Sequence, residues 1–172
     1  MPRIKNIFRA GVMPRIKKLD GIIRIQVDLI PSHRFNLKMQ NIGLLLLRIS
    51  AAGIMLSNHG LSKLMDYSQY VTQFPDPLGV GVKTSLGLAI FSELFCAGFV
   101  LIGLFSRLAL LPIIITMLVA IFAIHGADPF AKKELAVLYL SMFTTLFLTG
   151  PGKYSVQELF KISSQRFSWL LK

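Results

Sequence analysis

The stretch LLLLRISAAGIMLSNHGLSKLM, residues 44–65, is apolar enough to cross a bilayer, yet it carries Arg48, Asn58, His59 and Lys63. A charged side chain near the bilayer centre costs about 2.5–3.5 kcal/mol on insertion scales. Each residue of an α-helix advances by about 100°. Eleven steps from Arg48 to His59 therefore return almost to one face, and four more reach Lys63. Arg48, Ala52, Met55, His59 and Lys63 form a single stripe. Because polar groups facing lipid are expensive, the stripe is expected to look toward other helices.

The rest of the chain supplies those helices. Of 172 residues, 53% are hydrophobic and only 16% charged, with mean hydropathy +0.62. A soluble domain has about 25% charged residues. Residues 86–106 hold Glu93 as their only charge, and residues 108–124 and 135–149 hold none. A spanning helix needs about 20 mostly apolar residues. Four spans are expected, at about 42–64, 84–105, 107–125 and 133–150. The last has a short apolar core, so Lys132 and Lys133 must snorkel to the interface. The fold class expected is all-α: an integral membrane, antiparallel four-helix bundle over residues 41–155. A basic arm (1–40) precedes it, and an amphipathic interfacial tail (156–172) follows.

Charge orients the bundle. Nine of the 19 Lys and Arg residues lie in the first forty positions, Arg107 sits between spans two and three, and four follow Gly150. The loops on the other side hold Lys63, Lys83, Lys132 and Lys133. Fourteen cations against four place both termini in the cytoplasm by the positive-inside rule. Membrane lipid is thus the first partner of the basic arm. Nucleic acid is not expected, because no aromatic interleaving or known module accompanies the charge. Cys96 is the only cysteine, so no intrachain disulfide forms, and it reads as a small packing residue.

The arm repeats MPRIK at residues 1–5 and 13–17, read as a chance or start-site duplication, with Met13 or Met39 as alternative initiators. Its IIRIQVDL alternates as a strand would, with no partner strand in view, so the arm is read as surface-associated or poorly ordered. It lacks the compact apolar core and small-residue cleavage site of a signal peptide. Beyond span one, MDYSQYVTQFPDPLGVGVKTS is broken by Pro75, Pro77, Gly79 and Gly81. Tyr67, Tyr70 and Phe74 there suit an interfacial belt or a flap over the bundle mouth.

Depth, at about 1.5 Å per residue, sorts the polar groups into two sets. Arg48 and Glu93 fall in the inner half as partners, either as an ion pair fixing register or as ligand-holding groups. His59, Lys63, His125 and Glu134 converge on the outer mouth. Proton donation and charge stabilisation are the chemistry on offer, since histidine titrates near pH 6.5 and both His and Lys donate to a carbonyl oxygen. His59, His125 and Glu93 are the candidate proton donors or relay; Arg48, His59, Lys63, Glu93, His125 and Glu134 are the candidate ligand-binding set. No metal site is expected, because no tight ligand spacing such as HxxxH or CxxC is present.

The Arg followed by HGLSKL in span one, the Glu of FSELF, GLFSRLA at the turn, the His closing span three and the terminal GPGKYS resemble, in that order and spacing, the DoxX family of small membrane proteins. The resemblance covers about residues 41–156, with the loop before span four shortened relative to many relatives. It implies a four-helix protein of the bacterial inner membrane linked to redox work. Family relatives belong to a thiosulfate:quinone oxidoreductase, and others associate with membrane oxidoreductases that handle oxidative and thiol stress. By position the family pattern falls on Arg48, His59, Lys63, Glu93, Arg107, His125 and Glu134. Two functions are weighed. One is a quinone-interacting subunit of a membrane oxidoreductase, with quinone as the cofactor and a soluble or membrane redox partner subunit, since no haem, flavin or iron–sulfur motif is visible. The other is a non-enzymatic scaffold for a redox partner, or a small-solute transporter, which four unbroken helices would support only as a homo-oligomer.

Overall fold

The computed structural model describes the backbone of residues 14–19, 22–27 and 30–159, and side chains from residue 36 to 158. The chain divides into two units, Met1–Gln40 and Asn41–Lys172. In the first, β1 (Pro14–Leu19) pairs antiparallel with β2 (Ile22–Val27), with Arg15 opposite Gln26 and Ile16 opposite Ile25. The strand-like alternation of IIRIQV therefore has its partner in PRIKKL, which the sequence had offered only as half of a repeat. The rest of the arm, and the amphipathic tail beyond Leu159, lie outside the described residues.

The second unit is helical. Helix α1 begins within the first unit and continues into this one, running through Ile30–Ile54, a π-helical segment Met55–Leu61 and a last turn Ser62–Met65. A short helix α2 (Tyr67–Gln73) follows, ending where Phe74 turns extended ahead of Pro75. Helix α3 covers Val82–Ile102, with a π-helical segment at Phe91–Cys96. Helix α4 covers Ser106–Ile124 and ends in another, Ala120–Ile124, where the His125 N–H reaches back five residues to the Ala120 carbonyl. Helix α5 is Phe130–Thr149, and α6 is a single turn, Val156–Leu159.

Among the described residues three helices, α1 over Asn36–Met65, α3 and α4, are long and apolar enough to cross a membrane. Leu46, Phe122 and Leu148 leave more than 60% of their surface uncovered by protein, the arrangement expected where lipid is the solvent. Helix α5 has the length but a more polar composition. Its Ser141, Thr145 and Thr149 hydroxyls each donate back to a carbonyl of their own helix at 2.7–2.8 Å. The core joins Ala51, Ala52 and Met55 of α1, Ala97 and Val100 of α3, Leu110 and Ile113 of α4, and Tyr139, Phe143 and Leu146 of α5.

Helix α3 stops because Gly103, at φ +74°, takes the left-handed cap and Leu104 N–H bonds the Phe99 carbonyl. At this end the chain after α5 folds back and is held by Arg48. Buried to 3% exposure, Arg48 donates from Nη1 to the Pro151 carbonyl and from Nη2 to the Tyr154 carbonyl, each at 2.5 Å. Lys153 N–H meets Asn41 Oδ1 at 2.8 Å, and Gln157 N–H meets the Gly103 carbonyl. Any side chain at Gly103 would collide, its Cβ coming within 2.5 Å of Ser155 Cβ.

The expected Arg48–Glu93 ion pair does not form. The antiparallel register sets Gly103 beside Arg48 and Glu93 beside Gly60. Twelve residues separate Arg48 from Gly60, so Arg48 and Glu93 stand about 15–18 Å apart along the helices. Arg48 is a clamp on backbone carbonyls. Arg48→Met removes two hydrogen bonds from a charged donor, each worth about 1.5–3 kcal/mol, and leaves the buried Pro151 carbonyl and the part-buried Tyr154 carbonyl without that donor. Thermal unfolding in detergent is expected to show a loss of about 3 kcal/mol, with cleavage sites around residues 151–157 becoming protease-sensitive.

Candidate functional site

At the opposite end from Arg48, the helices enclose a cavity of about 920 Å³. The π-helical segments of α1 and α3 meet at its wall, where Gly60 lies against the backbone of Glu93. A Cβ at position 60 would sit 2.5 Å from the Glu93 carbonyl oxygen and 2.6 Å from Leu94 N. Only glycine permits this approach, and a small residue at a membrane helix crossing lets backbones come close. The approach brings Lys63 Nζ onto Glu93 Oε2 in a direct ion pair, the two side chains 13% and 7% exposed. Insertion of a π turn changes the angular phase of every residue that follows it, and such segments recur at functional sites.

Four groups cluster at this wall. Lys63 and Glu93 neutralise each other. His59 lines the cavity, with its ring edge-on to Tyr139 at 5.6 Å between centroids. Tyr139 in turn stacks on Phe143 at 5.9 Å. Neither the His59 nitrogens nor the Tyr139 hydroxyl bonds another described residue, so both present hydrogen-bonding capacity to the cavity. Tyr139 had no signal of its own in the sequence. An aromatic residue in an apolar helix reads as core, and its role follows only from its meeting with His59.

His125 also lines the cavity, and its Nδ1 lies 2.8 Å from Asp128 Oδ2, with Lys132 Nζ 3.4 Å from the other carboxylate oxygen. The hydrogen bond to His125 is the main reason the Asp128 carboxyl sits below the usual range, with Lys132 adding to it. Glu134 departs from expectation. It is exposed and does not line the cavity, while Leu135, Ala136 and Tyr139 of the same helix do. One helical step of about 100° carries it off the inward face. Arg48 is likewise outside the cavity, at the other end. Arg107 donates to the Leu148 carbonyl at 3.5 Å, tying the start of α4 to the end of α5. Cys96 is buried in the core. Among the described residues no three His, Cys, Asp or Glu side chains gather as a metal-binding group.

The segment after α1 forms the cavity's rim. Tyr70, Phe74, Pro75 and Pro77 line it, so this stretch lies over the mouth as a flap, while Tyr67 stays outside. Asp76 fixes the return into α3: it accepts from Ser85 Oγ at 2.6 Å, Gly81 N–H at 2.8 Å and Val80 N–H at 3.2 Å. Ser85 first, then those backbone donors, hold its carboxyl below the usual range.

Residues 43–126 match the family model described as DoxX. The matched span takes in Arg48, His59, Lys63, Glu93, Arg107 and His125 and stops before α5, shorter than the resemblance read from the sequence. No curated protein and no solved structure matches the chain.

A carboxylate with a depressed folded pKa adds stability that is complete above the unfolded value, about 3.9 for Asp, and disappears as pH falls through the folded one. The stability difference between the wild type and Asp76→Asn is therefore expected to be full at neutral pH and to shrink below about pH 4. Thermal unfolding across that range checks it. A difference that persists unchanged in acid would mean the carboxylate charge contributes nothing.

Proposed function

A DoxX-family domain occupies residues 43–126 of this membrane protein, and from that premise we propose that the chain is a quinone-interacting subunit of a membrane oxidoreductase. One observation carries the reading: a cavity with largely apolar walls holds a compact polar group at one wall, Lys63, Glu93, His59 and Tyr139. A quinone has the same division, a ring with two carbonyl acceptors and an apolar body. Pockets that bind such molecules are mostly apolar with a few polar groups that fix orientation.

In this reading Lys63 and His59 are the donors to a ring carbonyl. Glu93 holds the Lys63 ammonium in place by their ion pair, and Tyr139 sets the plane of the His59 ring. When bound, the quinone supplies two-electron, two-proton redox chemistry, and the protein's part is to hold the ring and deliver protons at His59. The electron source is a partner subunit. His125, beside Asp128 at the rim, connects this wall to the aqueous face.

The same reading makes α5 a fourth span and the second unit an antiparallel four-helix bundle. The bias of fourteen cations against four then puts the Arg48 end in the cytoplasm and the cavity toward the outer face of a bacterial inner membrane. A through-path for a solute is disfavoured, because the segment clamped by Arg48 packs over the end opposite the cavity.

The test is to purify the chain, extract its bound lipids and quantify quinone by mass spectrometry. Wild type is expected to retain about one quinone per chain at the stoichiometric limit of a single site. His59→Ala and Glu93→Gln are each expected to lose it while remaining folded. Quinone carried equally by both variants would assign it to adhering lipid and overturn the reading.

A further inference from the structure

The cavity does not end at its polar wall. Ser85, Leu88 and Ser92 of α3 recur at intervals of three and four, and so do Pro112, Ile115 and Val119 of α4; both stripes line the cavity. Each stripe occupies one face of its helix. Yet Leu88 is 52% exposed and Ile115 59% exposed. Residues that line the cavity and leave more than half of their surface uncovered by protein mark a place where its wall is thinly packed.

The packing explains the thin wall. Helix α4 rests on the second half of α3, the π-helical segment Phe91–Cys96 and the turns after it. The first half of α3, Val82–Ile90, packs instead on α2 and on the end of α1. Helices α3 and α4 thus close together from Ser92 toward Gly103 and part above it. The hydrogen bond between Ser92 Oγ and Thr116 Oγ1, at 2.8 Å, marks where they meet. Pro112 removes one backbone donor from α4, and Thr116 Oγ1 also lies 2.9 Å from the Pro112 carbonyl. Both features favour bending of a helix.

We infer that the cavity opens sideways into the bilayer through this cleft, and that its occupant is a tailed amphiphile whose head reaches His59 and Lys63 and whose apolar chain lies between α3 and α4. The inference rests on the quinone reading for the identity of the head and adds the tail site and the route of entry. The chemistry of the cleft selects for it. Leu88, Ile115 and Val119 offer nothing to a small polar solute, whereas an apolar chain passes from the acyl region into the cleft without leaving apolar surroundings.

The experiment compares two probes, a benzoquinone with a decyl tail and the same ring without one, on the full chain in nanodiscs. Ile115→Trp fills the cleft from α4 and Leu88→Trp fills it from α3. Both positions are half-open, so neither substitution forces an indole into packed core. The expected result is loss of decyl-quinone affinity by about tenfold or more in each variant, with the tailless ring bound as in wild type. Unchanged decyl-quinone binding in both folded variants would overturn the cleft and leave the head site standing. Equal loss of both probes would overturn it too, by locating the damage at the head. If neither probe binds wild type, the quinone reading itself falls, and this inference with it.

Discussion

The structure depends on a contact that a single hydrogen atom makes possible. With only hydrogen at Gly60, the backbone of α1 presses on the backbone of α3 at Glu93, and Lys63, one turn further, reaches the carboxylate. Two charges in an apolar slab are costly apart, and the insertion penalty for each is of the order of 2.5–3.5 kcal/mol. Together they form a neutral pair that fixes the register of the two helices. That register carries the rest. It sets Gly103 beside Arg48 at one end, and it brings His59 to face the cavity beside Glu93 at the other. A buried pair is weak evidence for stability but a strong constraint on alignment, because a slip of one turn would leave both charges unpaired.

The two ends of the helices are built differently, and function follows from the difference. At the Arg48 end a guanidinium binds two carbonyls of the returning chain, and Gly103, Ser155 and Gln157 pack beneath it. At the His59 end the helices diverge around a space, roofed in part by Tyr70, Phe74 and the two prolines that follow. Three π-helical segments occur among the described residues, and they fall at His59, at Glu93 and immediately before His125. Each widens its helix where a titratable group is to be aimed inward. The coincidence of all three with the cavity is the backbone's own indication of where the site lies.

Much of this was legible in the sequence. The stripe from Arg48 to Lys63 faces inward, as the cost of polar groups in lipid requires, although the π-helical segment Met55–Leu61 alters the phase of about 100° per residue from which it is read. That Glu93 pairs with Lys63 and not with Arg48 was not legible. It depends on the register between helices, and apolar runs with ragged ends do not fix that to within two or three turns. The glycine that does fix it is one of 13 in the chain, and nothing in the sequence says which residue of a neighbouring helix it meets. Glu134 failed for a related reason: projected depth placed it at the mouth, but its angular position on α5 turns it outward. Tyr139 was invisible as a single aromatic in an apolar helix. The strand character of IIRIQV was readable from alternation, whereas its partner PRIKKL was hidden by its likeness to the first five residues.

The central claim is that Lys63 and Glu93 are coupled inside the protein and are not two independent groups at its surface. A double-mutant cycle measures that coupling directly: Lys63→Met, Glu93→Leu and the double variant, each followed by thermal unfolding in the same detergent. Each single substitution is expected to destabilise by about 3–5 kcal/mol by leaving its partner's charge buried alone. The double variant should recover much of that, giving a coupling energy of at least about 1.5 kcal/mol. Effects that add to within about 0.5 kcal/mol would contradict the account, because they would mean that the two groups do not meet.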